Sequence, residues 1–110
     1  MKVSELAEQL DLKIICGGAG LERALRGCYI GDLLSLAMSR VQKDNVWITI
    51  QTNINVAAVA SLTEAGCVLL CDGFTPDGNM LQRAELEEIA VLGSEKTAYE
   101  LAGALTGLGI

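Results

Sequence analysis

Six residues hold most of the polar chemistry this chain of 110 residues offers: Gln51, Thr52, Asn53 and Asn55, then Asp72 and Gly73. The first four put amides and a hydroxyl into five positions. Such groups donate and accept hydrogen bonds without carrying charge, which suits an amide edge or the phosphate of a small ligand. One or two of them are expected to cap a helix or close a turn. The others stay available. None of the four is a general base near neutral pH, and the chain has no histidine. Acid–base catalysis would therefore fall to a carboxylate such as Asp32 or Asp72. Asp72 follows an apolar run, where it could contact a ligand or Mg²⁺, although a solvated turn aspartate is the better account of it. The pattern predicts binding, with no catalytic residue.

The cysteines offer less. In a reducing compartment Cys16, Cys28, Cys67 and Cys71 remain thiols. There is no Cys-x-x-Cys pair, and a mononuclear zinc site would need all four cysteines, or carboxylates, to converge. Cys67 and Cys71 lie four apart in one apolar run and face the same way, with Leu69 between them. At ~3.3 Å per residue they stand ~13 Å apart, too far to share a metal. Both read as small buried hydrophobes. Cys16 and Cys71 each close a strand at the same sheet edge, so a close pair is conceivable. Gly17-Gly18-Ala19-Gly20 fits neither Gly-x-Gly-x-x-Gly, because Arg23 takes the last glycine's place, nor a Walker A loop. It reads as a sharp turn. No metal and no other cofactor is expected.

Positioning these groups requires an alternating chain. Residues 46–50 are β-branched or aromatic and predict a buried strand, with Trp47 in the core. The polar turn follows, and an apolar helix runs over residues 54–65. Ligands of open α/β sheets gather at such carboxyl ends of strands, and a helix start leaves backbone N–H groups free for an anion. Gly66 is expected to end the helix in a left-handed turn. Residues 67–71 form the next buried strand, and Asp72-Gly73-Phe74-Thr75-Pro76-Asp77-Gly78 is a loop.

Upstream, Ser4 caps a helix over residues 5–10, residues 12–16 and 27–30 are strands, and Asp32 caps a helix with an apolar stripe at Leu33, Leu34, Leu36, Ala37 and Val41. Downstream come a helix over residues 79–88, a strand over 89–92 and a helix over 95–105. Glycines 103, 107 and 109 are expected to fray its end. Strands alternating with helices predict an α/β fold, a single domain over residues 1–110. Its mostly parallel sheet has about five strands flanked by helices.

Net charge is −6 with only eight basic residues, scattered along the chain. That argues against nucleic acid and anionic membranes as partners. No apolar run reaches the ~18 residues of a membrane span, and acids stand near the N-terminus, so a cytoplasmic location is expected. The helix over 54–65 is apolar almost all round. It must lie under other elements or against a second subunit, and a homodimer is expected.

The order of segments resembles the DRTGG domain family over nearly the whole chain. The marks are Trp47-Ile48-Thr49 through Asn55, Val68-Leu69-Leu70-Cys71-Asp72-Gly73 with Pro76, Ile89-Ala90-Val91-Leu92, and Thr97-Ala98-Tyr99-Glu100-Leu101-Ala102. Tyr29-Ile30-Gly31-Asp32-Leu33-Leu34-Ser35 is similar to a stand-alone branch that sits near iron-hydrogenase genes. The family occurs inside some phosphotransacetylases and beside CBS domains, and is similar in fold to the N-terminal domain of HPr kinase. The name-giving acid–arginine turn stands here as the Thr52-Asn53 region, and Thr-Gly-Gly as Cys71-Asp72-Gly73. An anion contact by that arginine thus lacks its counterpart. The resemblance implies a regulatory module without catalytic activity, since the kinase's P-loop domain is absent. It is expected to bind a small polar or phosphorylated metabolite, with a nucleotide among the candidates. The alternative is a protein-interaction module for a metabolic or hydrogenase-associated partner, with no small ligand.

Overall fold

The computed structural model describes residues 1–110. Its centre is a pair of buried parallel strands. Val46-Trp47-Ile48-Thr49 forms β3 (Val46–Thr49) and Cys67-Val68-Leu69-Leu70 forms β4 (Cys67–Leu70), with every residue of both buried. Val46 stands opposite Cys67, and the register runs on to Thr49 opposite Leu70. Strands covered on both faces read as unbroken apolar runs, which is why these two were legible. β2 (Cys28–Ile30) pairs in parallel with β3, and β5 (Val91–Gly93) pairs in parallel with β4. β1 (Lys13–Cys16) runs antiparallel to β5, with a bulge between Ile14 and Cys16. The strand order is β1-β5-β4-β3-β2.

Alternation along the strands divides the core. Trp47, Val68, Leu70 and Val91 pack against α2 (Leu34–Arg40), α3 (Ile54–Thr63) and α4 (Gly78–Leu86). Val46, Ile48, Cys67, Leu69 and Leu92 face α1 (Val3–Gln9) and α5 (Ala98–Gly107) on the other side. Three helices thus cover one face of the sheet and two cover the other. Trp47 is fully buried, and its Nε1 donates to the Gly31 carbonyl at 3.0 Å, so its one polar atom is satisfied.

Several local expectations change. α1 is capped from Lys2, not Ser4, and Glu5 accepts from the Lys2 N–H at 2.8 Å. The left-handed residue ending α3 is Glu64 (φ 57°), not Gly66. Gly66 is required for space: a Cβ there would lie 2.5 Å from Leu25 Cδ2 and 2.7 Å from the Asp44 carbonyl oxygen. The Gly17 run folds into a 3₁₀ turn over Gly18–Glu22, where the Ala19 N–H donates to the Glu88 carboxylate at 3.4 Å. An acid occupies the place a phosphate would need. The C-terminus does not fray. α5 continues through Gly103 to Gly107, and Leu108 and Ile110 pack on the core beyond it, burial that outweighs glycine's weak helix propensity.

α3 finds its cover inside the chain. Val56, Ala57, Val59 and Ala60 are buried between the sheet and the flanking α2 and α4. Ile54 and Leu62 remain exposed, Leu62 at 71%. The all-round apolarity therefore reflects a central helix of a three-helix layer, and it no longer argues for a second subunit. No helix is long and apolar enough to cross a membrane.

Candidate functional site

The carboxyl ends of β3, β4 and β5 lie side by side and carry the loops of interest. Asn53 is the N-cap of α3, its side-chain oxygen accepting from the Asn55 N–H at 2.9 Å. Its Nδ2 donates to Gln51 Oε1 at 3.4 Å, and Gln51 Nε2 donates to the Asp32 carbonyl at 3.0 Å. Asp32 does not cap α2, whose N-cap is Leu33. Its carboxylate accepts instead from Thr49 Oγ1 at 2.9 Å and from the Ile50 N–H at 3.0 Å. A carboxylate thus closes the end of β3 by satisfying a buried hydroxyl and a loop amide. Two of the four polar residues, Gln51 and Asn53, are engaged internally. Thr52 and Asn55 have side chains without a hydrogen-bond partner.

Asp72 and Gly73 belong to the next turn. Both have positive φ, 55° and 76°, the left-handed region that glycine enters without strain. The Asp72 N–H donates to the Lys96 carbonyl and the Gly73 N–H to the Ser94 carbonyl, each at 2.9 Å. The β4 loop is therefore tied to the β5 loop. Two backbone bonds join it to the β3 side, from the Asp77 N–H to the Thr52 carbonyl at 2.9 Å and from the Cys71 N–H to the Thr49 carbonyl at 3.3 Å. The six residues share one rim but divide between two turns.

The main cavity, about 460 Å³, lies at the second turn. It runs between the Gly73-Phe74-Thr75 loop, the Gly93–Lys96 segment and the start of β1 at Lys13. Of the six predicted residues only Gly73 lines it. Lys13, Phe74, Gly93 and Lys96 were not singled out from the sequence. β1 carries no sequence mark of its direction, and only its antiparallel pairing sets Lys13 opposite Gly93. The run Asp72 to Gly78, dense in turn formers, was the one available signal.

The thiols are kept from ionising. Burial pushes Cys67 up to about 12. Burial, with the Asp72 carboxylate beside it, pushes Cys71 up to about 11. Because β1 is antiparallel, Cys16 lies at the opposite end of the sheet from Cys71 and pairs with Val91. The conceivable Cys16–Cys71 contact does not form, and all four cysteines are free.

The sequence profile of the DRTGG domain matches residues 5–108. The chain belongs to the DRTGG domain family. Among solved structures it is similar to the CBS and DRTGG domains of the regulatory region of a Clostridium perfringens pyrophosphatase, complexed with the activator diadenosine tetraphosphate. The TM-score is 0.71 at 8% identity, over 92% of this chain and 44% of that one. This DRTGG domain thus spans less than half the length of that structure. At that identity the likeness is one of fold. No curated protein matches the chain.

Proposed function

We propose that this DRTGG domain is a non-catalytic regulatory module. It binds a small polar or phosphorylated metabolite, a nucleotide among the candidates, at the carboxyl-terminal rim of its sheet. The observation that carries the reading is the cavity entered by the Gly73 loop, at the position where open α/β sheets take their ligands. Thr52 and Asn55 offer unengaged polar side chains along the same rim, the Asp72 carboxylate stands beside the Cys71 thiol, and Gln51 and Asn53 shape its β3 side. The likeness to a regulatory region supports the role. Four free thiols suit a reducing compartment, the cytoplasm.

A thermal-shift panel of nucleotides and sugar phosphates tests this, because a ligand bound only by the folded state raises Tm by mass action. We expect a hit whose shift shrinks either in Asp72→Ala with Asn55→Ala or in Lys13→Ala with Lys96→Ala, the two lysines that line the cavity. A hit indifferent to both would move the site off the rim.

A second reading, as an interaction module, is favoured by the free edge at β2. Ile30, Leu33 and Leu36 are exposed there beside an unpaired strand. A two-fold axis would bring this edge against the same edge of a second copy. Sedimentation at micromolar concentration should show a dimer that Leu33→Lys dissociates. A monomeric wild type would remove the homodimer and leave this edge for a different protein partner.

A further inference from the structure

The cavity at the second turn has walls of unusual composition. Gly93 sits within β5, opposite Lys13 of β1. A glycine inside a strand leaves room for something to approach the backbone. A Cβ there would meet only the tip of Ile15, 3.2 Å from its Cδ1. Gly73 lines the facing wall with the Glu95 carboxylate packed against it, 2.5 Å from where a Cβ would stand, and Phe74 follows it with 46% of its surface exposed. An aromatic ring standing at the mouth of a cavity offers a flat apolar face that the core does not use.

Charge adds a separate observation. Lys13 and Lys96 line the cavity, and so do Asp11 and Glu95. Yet the molecule's three ion pairs engage Lys2, Arg23 and Arg83. Neither cavity lysine is paired, although carboxylates share its walls. The two ammonium groups keep their donors for an anion, and the two carboxylates keep acceptors for hydroxyl groups.

We infer that this cleft takes a nucleoside phosphate. The base stacks on Phe74, as any base can on an aromatic face. The phosphate oxygens accept from Lys13 and Lys96. The sugar hydroxyls donate to Glu95 or Asp11, as an acidic residue serves ribose in dinucleotide folds. The volume falls within the roughly 300–1,000 Å³ of small-ligand sites. With a net charge of −6 the chain as a whole repels polyanions, so capture depends on these local groups. The inference rests on the ligand-binding reading of the rim and specifies its ligand class and contacts.

Isothermal titration of the full chain with ATP, and with adenosine and inorganic triphosphate as its two halves, provides the test. ATP should bind saturably. Lys13→Ala and Lys96→Ala should each weaken it about tenfold, the scale of one charge-assisted hydrogen bond. Phe74→Ala should weaken ATP and adenosine while leaving triphosphate unchanged. Gly93→Ala displaces only a flexible side-chain tip, so it should keep its Tm and lose ATP. Binding of ATP unaffected by all four variants overturns the cleft. If Asn55→Ala and Asp72→Ala weaken it instead, the rim reading survives without the cleft. If ATP, GTP, CTP and UTP all fail at millimolar concentration while another metabolite stabilises the fold, the ligand class is wrong and the rim stands. If every compound is blank, both readings fall.

Discussion

The two turns on the sheet rim make opposite use of their residues. After β3, five consecutive positions hold amides, hydroxyls and one apolar side chain, and much of that polarity is spent within the chain on Asp32, Gln51 and Asn53. After β4 and β5, Gly73 and Gly93 line the cavity beside unpaired Lys13 and Lys96. Polar residues in a sequence mark where hydrogen bonds must be satisfied. Space for a ligand comes from missing side chains and from unpaired charges, and neither is conspicuous in a string of letters.

The largest way to break this contrast is Asp32→Ala. It strands the buried Thr49 hydroxyl and the Ile50 amide, so urea unfolding should show a loss of about 2 kcal/mol. Nucleotide affinity at the second turn should remain. A parallel loss of affinity would mean that the two turns act as one unit.

A smaller effect sharpens it. Asn53→Ala removes the α3 cap and should cost about 1 kcal/mol. Asn55→Ala, whose side chain has no partner, should cost no measurable stability. Equal losses in the two variants would deny that this turn is divided into engaged and free groups.

The smallest effect lies beside the cavity. The Thr97 backbone N–H, then its hydroxyl, hold the Glu100 carboxyl below its usual range. A depressed folded-state pKa contributes stability above the unfolded value and loses it as pH falls through the folded one. Between neutral pH and the acid side of the carboxylate range, Glu100→Gln should therefore show a shallower fall in Tm than wild type. Identical slopes would mean that this capping box does not secure the Lys96 segment.

Much of the fold was legible because β3, β4 and α3 are largely apolar runs, buried along most of their length and bounded by turn formers. The partly exposed edge strand β1 was harder. Leu12 to Cys16 looks the same whichever way it runs, so the antiparallel β1 and the position of Lys13 stayed hidden. The helix caps misled for a related reason. Ser4 and Asp32 have the right chemistry at plausible spacing, yet Lys2 and Leu33 begin those helices, and Asp32 serves the end of β3 instead. Of the cavity, only Gly73 was among the residues singled out in the sequence. The rest required the strand order.

The reversed first strand has a consequence for motion. β2 through β5 form a continuous parallel block, while residues 1–16 join it through the antiparallel β1–β5 ladder, the Lys2–Ala24 bridge and the packing of Val3, Leu6, Ala7 and Leu12 into the core. A molecule lodged between Lys13 and Gly93 would fasten that leading segment to the block. Slower deuterium uptake at the front of the chain would then report occupancy, far from any change in the parallel strands.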